Sequence, residues 1–281
     1  MAQVWNIKEL LDWTTRYFSE KGIEEPRLEA ELLLTRVLHK DRVYLYTHYE
    51  APVNQQERDQ YRELIKRRVK GEPVAYILGV KEFMSLEFIV SPAVLIPRPE
   101  TELLVEKALE ILSLWGTAQV CDIGTGSGAI AVSLAYYAPF ADVKAVDISE
   151  KALEIAHQNA DRHGVNIDFF QGDLLEPFED ETFDLIVANL PYISEAEYQS
   201  LSPEVKQFEP QLALLGGEDG LDPYRRLISA VGNHLKPKGY ILFEIGAGQG
   251  RAAQEMLTGF VQVELIQDYA GHDRLLLGRK G

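Results

Sequence analysis

Along residues 1–70 the apolar positions recur at helical spacing. Leu10, Leu11, Trp13 and Phe18 make one stripe, and Leu28, Leu32, Leu33, Leu34, Val37 and Leu38 a second. Tyr61, Leu64, Ile65 and Val69 make a third. Pro26 and Pro52 fall where each would open a helix rather than interrupt one. The pattern predicts a small helical bundle with no obvious catalytic constellation. Gly71, Pro73 and Gly79 then break the helical spacing, and Phe83 to Val90 alternates enough to predict a short hairpin. After Pro99 a helix is predicted over residues 101–114, with Thr101 as its cap.

From residue 118 strand and helix patterns alternate. Strands are predicted at 119–123, 143–147, 167–171, 183–189, 239–245, 260–266 and 274–278, with helical stretches such as 151–163 and 223–235 between them. Such alternation predicts a parallel, doubly wound sheet. Only QDYAGHD separates the last two strands, too little for a crossover helix, so the last strand should run antiparallel. The expected fold class is α/β: a seven-stranded Rossmann-like domain with a small N-terminal helical domain. The expected division is 1–80 helical, 81–98 linker and hairpin, and 99–281 the α/β domain.

Composition narrows the setting. A chain of 281 residues, 46% hydrophobic and 26% charged, is an ordinary globular mix for one large or two smaller domains. It has no run of about 18 apolar residues. Its first residues carry charges inside an amphipathic pattern and lack the apolar core of a signal peptide. Cys121 is the only cysteine, so no intrachain disulfide can form. Together these predict a cytoplasmic protein without a membrane span. The six histidines are scattered, and no metal is expected.

The net charge of −16 is uneven. Residues 1–80 carry 13 Lys and Arg against 13 Asp and Glu, so the whole excess lies in residues 81–281. An acidic α/β domain is a poor platform for a phosphate backbone, and direct nucleic-acid binding is not expected. Lys66, Arg67, Arg68 and Lys70 form a basic cluster, readable as a solvated helix face or as a docking patch for a partner.

VCDIGTGSGAIA follows the first strand of the α/β region and opens a helix. Gly124, Gly126 and Gly128 let the backbone turn tightly and approach a ligand with no Cβ in the way. Asp147 ends the next strand about 20 residues on, where a carboxylate can accept both hydroxyls of a ribose. A bound nucleoside is therefore expected. Gly124, Gly126 and Ala129 fit the loose G-x-G-x-x-G/A pattern of nicotinamide dinucleotide sites. Asp122 points elsewhere, because a carboxylate beside the loop repels a pyrophosphate and suits a sulfonium or an ammonium group.

The run from Asp122 through Gly124, Thr125, Gly126 and Ser127 to Gly128 reads D-x-G-x-G-x-G. It resembles motif I of class I S-adenosylmethionine methyltransferases, whose strand order with a reversed last strand is also similar. The resemblance implies S-adenosyl-L-methionine as cofactor. It also implies that Asp173, closing the third strand in QGD, holds the adenine amino group and that Leu174 packs on the ring. Asp173 as a plain helix cap is the simpler alternative.

The fourth strand ends in VANLPYI. A planar NH₂ acceptor there could give one hydrogen to Asn189 and one to the carbonyl of Leu190. That would aim its lone pair at a methyl donor. Pro191 keeps residue 190 extended, and Tyr192 can stack on a flat acceptor. The stretch resembles the N/D-P-P-Y/F motif of amino-methyltransferases acting on adenine, cytosine or glutamine. Leu190 stands where the first proline would be, so the carbonyl survives and one rigid φ is lost. N-L-P-Y is also how rRNA adenine dimethyltransferases read, which leaves the acceptor open at this point.

GEPVAYILG, then EF, then VLIPRPETELLVE, then DIGTGSG and N-x-P-Y together resemble the HemK/PrmC family over almost the whole chain. These are protein-(glutamine-N5) methyltransferases that modify the GGQ glutamine of class-1 peptide chain release factors. The resemblance implies that the helical domain recognises the release factor. It implies that Phe83 and the Arg98–Glu102 stretch, Glu100 included, border the glutamine pocket. A monomer is expected. Two alternatives keep a methyltransferase: an adenine amino-methyltransferase on rRNA or DNA, and a glutamine methyltransferase of a ribosomal protein. A third is a cofactor-binding module without catalysis.

Overall fold

A computed structural model describes residues 5–281. They divide into two compact units between Gly79 and Val80.

The first unit holds α1 (Ile7–Glu20), α2 (Pro26–Leu38), α3 (Arg42–Thr47), α4 (Gln55–Val69) and α5 (Val74–Leu78). Helices α1 and α4 begin with capping boxes, Asn6 with Glu9 and Asn54 with Glu57, so the first-turn N–H groups find partners at once. Pro26 opens α2 as expected, but Pro52 lies two residues before the Asn54 cap and bridges to Asn6. The predicted stripes bury Leu11, Phe18, Leu33, Leu34 and Tyr61 in one core. In the basic cluster, Lys66 pairs with Glu63, Arg67 with Glu72, and the buried Arg68 with Glu29. These pairings leave Arg68 inside the bundle and neutralise Lys66 and Arg67 within the unit. GEPVAYILG, where Gly71, Pro73 and Gly79 are expected to break the helical spacing, contains α5, closed by Gly79 in the left-handed conformation.

The second unit opens with a hairpin, β1 (Val80–Phe83) and β2 (Leu86–Ile89), turning on Met84 and Ser85 at φ 49° and 58°. Neither is a glycine, so no sequence signal marked the turn. The hairpin belongs to this unit rather than to a free linker. The Met84 N–H donates to Glu102, and Asn159 bonds both peptide groups of Ile89 and the Ser127 carbonyl. Next come α6 (Glu102–Leu112), β3 (Ala118–Ile123), α7 (Ala129–Tyr137), β4 (Ala141–Asp147), α8 (Glu150–His163), β5 (Asp168–Gln171) and β6 (Phe183–Ala188). Two short helices, α9 (Glu195–Ser200) and α10 (Pro203–Phe208), precede α11 (Asp222–His234) and β7 (Leu235–Glu244). The chain ends with α12 (Gly250–Met256), β8 (Gln262–Gln267) and β9 (Asp273–Arg279).

The seven strands run in the order β5-β4-β3-β6-β7-β9-β8, parallel from β5 to β7, with β9 antiparallel to both neighbours. Helices pack on both faces, so the central strands are buried throughout; β6 runs Leu185, Ile186, Val187 and Ala188 without exposure. Thr101 holds the predicted N-cap position of α6, but its side chain makes no capping bond. It sits in a 3-10 turn, Pro99–Thr101, with helical φ and ψ, and its side chain bonds elsewhere. Among the described residues no helix is long and apolar enough to cross a membrane, and no group of His, Cys, Asp and Glu is placed to hold a metal.

Candidate active site

In the sheet β3 and β6 are neighbours, with Ile123 registered against Ala188. The chain order reverses at this pair, and the loops leaving β3, β4, β5 and β6 open on one cavity at their carboxyl ends.

The glycine loop lines one wall. The Gly124 and Thr125 N–H groups both donate to the Val146 carbonyl, folding the loop onto β4. All three glycines have positive φ, for different reasons. A Cβ on Gly124 would stand 2.8 Å from the Leu190 side chain, and one on Gly128 would stand 3.2 Å from the Ala156 backbone. A Cβ on Gly126 would meet nothing within 4 Å. Gly124 and Gly128 therefore serve packing, and Gly126 faces open space. Asp147 ends β4, and its two carboxylate oxygens accept from Gly126 N–H and Ser149 N–H, each at 2.8 Å. Its pKa is raised because burial outweighs those two N–H groups.

Asp122 does not line the cavity. It is fully buried beneath the loop, accepting from the Thr125 hydroxyl at 2.7 Å and from Ala131 N–H at 3.2 Å. It joins the loop to the first turn of α7 rather than facing a ligand. Burial pushes its carboxyl up to about 7.

Further along the cavity stand Asp173 and Leu174, the latter at φ 55°. The Asp173 carboxylate pairs with Arg226 at 2.5 Å, which neither a cap nor a free adenine contact would predict. Ile148, missed in the sequence reading, presents a half-exposed apolar side chain to the same cavity. The signal existed: an isoleucine directly after the ribose-type carboxylate, where a polar turn residue would serve the helix better.

At the other end lie Asn189, Leu190 and Pro191, with Phe83 and Arg98 across from them. The Asn189 amide nitrogen donates to Thr101 Oγ1 at 3.0 Å, and Thr101 donates to Glu244 Oε2 at 2.7 Å. Tyr192 is not among the lining residues; its hydroxyl donates to Glu244 Oε1 at 3.1 Å. Glu100 is exposed and away from the cavity, and its neighbour Thr101 takes the inward place. Arg98 pairs with the buried Glu209 at 2.5 Å, which also accepts from Ile96 N–H. That ties the segment before α6 to the loop after α10, both of which line the cavity. Thr101 lies in the Arg98–Glu102 stretch expected at the pocket, but its bond to Glu244 was not foreseen, and Glu209, Tyr224 and Glu244 could not be found from sequence, because each acts through a partner on another element.

Family comparisons agree with this architecture. A family model described as PrmC N-terminal domain matches residues 9–79, and one described as Methyltransferase domain matches residues 120–208. The release factor glutamine methyltransferase of Geobacter sulfurreducens is 47% identical over 281 residues, covering 99% of this chain and 98% of that protein. Its counterpart in Koribacter versatilis is 43% identical, covering 98% of each. The crystal structure of a methyltransferase from Pyrococcus furiosus superposes with a TM-score of 0.53 at 21% identity, covering 77% of this chain and 97% of that one, a likeness of fold alone. On its near full-length identity to these relatives, the chain belongs to the release factor glutamine methyltransferase family.

Proposed function

We propose that this chain transfers a methyl group from S-adenosyl-L-methionine to the side-chain amide nitrogen (N5) of the GGQ glutamine in class-1 peptide chain release factors. One observation carries the reading beyond the family. Asn189 turns its NH₂ to Thr101, which leaves Oδ1 as an acceptor, and Asn189 and Leu190 line the same cavity as the glycine loop.

The residues present fit the cofactor. Gly126 leaves open space against the loop, and Asp147 keeps unused lone pairs for ribose hydroxyls. Ile148 and Leu174 offer apolar surface for a base, with Asp173 beside them. S-adenosyl-L-methionine, when bound there, supplies an electrophilic methyl carbon. The chain does the rest. A glutamine NH₂ has two donors and no free orientation once both are engaged. Asn189 Oδ1 takes one and the Leu190 carbonyl the other, which fixes the plane of the amide and the direction of its lone pair. Pro191 holds residue 190 extended. The methylated nitrogen is acidic and sheds its extra proton without a strong base.

Recognition of the release factor by Met1–Gly79 is part of the proposal and rests on the family match over residues 9–79. So are a monomer and a cytoplasmic setting, where release factors work. The acidic excess in residues 81–281 supports a protein acceptor over a nucleic acid. The test is mass spectrometry of a class-1 release factor after incubation with this protein and S-adenosyl-L-methionine. One added methyl on the GGQ glutamine is expected. An unmodified release factor, with ribosomal RNA or a ribosomal protein labelled instead, would overturn the reading.

A further inference from the structure

We infer that Thr101 and Glu244 are positioning residues that set which way the Asn189 amide faces, and so make the site an acceptor of an NH₂ group. The inference rests on the proposed glutamine acceptor.

Glu244 closes β7 and is 1% exposed, and Thr101 is 5% exposed. Burial raises the Glu244 carboxyl, while the bonds from Thr101 and Tyr192 and the charge of Arg274 act the other way; in its ionised form it can only accept hydrogen bonds, and a threonine hydroxyl has a single proton. Glu244 Oε2, 2.7 Å away, takes that proton. Thr101 Oγ1 can then only accept, and what it accepts must be the Asn189 NH₂ at 3.0 Å. The amide oxygen is left for the cavity that Asn189 lines. Tyr192 meets the same rule: facing Glu244 Oε1 at 3.1 Å, it must donate, which anchors the turn after Pro191. As a carboxylate, Glu244 thus sets the polarity of two hydroxyls and, through Thr101, of one amide.

Without the charge the order is lost. A neutral amide at position 244 can donate to Thr101, freeing the threonine proton to turn toward Asn189 Oδ1. The Asn189 amide then flips and presents NH₂ to NH₂, which repels the acceptor and leaves its donors unpaired.

The experiment compares Thr101→Val, Thr101→Ser and Glu244→Gln with wild type on a release factor, with cofactor affinity measured by calorimetry on each. Thr101→Val keeps the shape and loses the hydroxyl. It should lower kcat by about 10- to 100-fold, on the scale of one preorganised hydrogen bond, while cofactor Kd stays within about two-fold. Thr101→Ser restores the hydroxyl and should keep most of the activity. Glu244→Gln should fall with Thr101→Val while binding cofactor normally, which also reports that it folds. Full kcat in Thr101→Val, or equal losses in Thr101→Ser and Thr101→Val, would overturn the inference while leaving the proposed function standing. A wild-type chain inactive on the release factor would overturn the proposed function and this inference with it.

Discussion

The hydroxyl of Tyr224 lies 3.0 Å from both the amide nitrogen and the carbonyl oxygen of Leu190. Its single proton has a nearer acceptor, the Glu244 carbonyl at 2.6 Å. Tyr224 therefore accepts from Leu190 N–H, and the Leu190 carbonyl keeps its lone pairs for substrate. A hydrogen bond holds this peptide where a proline ring would hold it by covalent constraint. Tyr224→Phe leaves a buried N–H without a partner and should cost about 1–3 kcal/mol of stability, with a lower kcat. In a Leu190→Pro background that donor no longer exists, so the same change should cost less. A double-mutant cycle by urea unfolding reads the coupling, and strictly additive losses would refute the clasp.

Gly126 and Gly128 share positive φ but not surroundings. Alanine at either carries the left-handed penalty of about 1 kcal/mol. At Gly128 the new methyl also crowds the Ala156 backbone, so Gly128→Ala should lower the unfolding midpoint more. At Gly126 the methyl enters the cradle instead. Gly126→Ala should raise cofactor Kd by about 10-fold or more, the equivalent of 1.4 kcal/mol, with the smaller loss of stability. Calorimetry and thermal unfolding on the pair decide it; the reverse ranking would place the cofactor away from Gly126.

Arg98 and Glu209 join two segments of the cavity wall, and Glu209 is buried while Arg98 is partly exposed. Arg98→Met leaves Glu209 with the long Ile96 N–H contact as its remaining partner. We expect a loss of about 1–3 kcal/mol, below the range for a fully buried pair because Arg98 reaches solvent. The KM for the protein acceptor should rise and cofactor Kd should not. Steady-state kinetics against release factor would expose the error if kcat fell alone.

Asp122 offers a pH test. Its carboxyl is moved from an ordinary value of 3.8 up to about 7, chiefly by burial. The folded chain keeps a proton there that the unfolded chain releases. Its contribution to stability is complete below about pH 4, declines as pH rises and is gone above about 7. Asp122→Asn cannot titrate. The unfolding free energy of wild type minus that of the variant should therefore fall between pH 4 and 7 and then level off. A flat or rising difference would show that Asp122 is ionised in the folded state.

Much of this was legible along the chain. The helical stripes, the strand alternation and the reversed last strand all appear in the fold, with ends shifted by a few residues. Asn189, Leu190 and Pro191 do meet the glycine loop and Asp147 in one cavity. Tyr192, Glu100 and Asp122 do not line it, and the hairpin assigned to a linker packs on the α/β unit. Glu100 shows why. In a 3-10 turn each residue advances about 120°, so a one-residue uncertainty in phase exchanges the inward Thr101 for the outward Glu100.

What the sequence determined by itself are the features whose physics is local. Hydrophobic period selects helix or strand, glycines mark where φ must be positive, and an Asn-x-Pro-Tyr after a buried strand marks acceptor groups at a strand end. What only the tertiary structure decided is how those groups are held. Thr101, Asn189, Tyr224 and Glu244 come from the turn before α6, the end of β6, α11 and the end of β7, and sheet pairing brings them within hydrogen-bond reach. A hydroxyl's direction depends on which neighbour can only accept. That neighbour is set by pairings across the sheet, which no local pattern encodes.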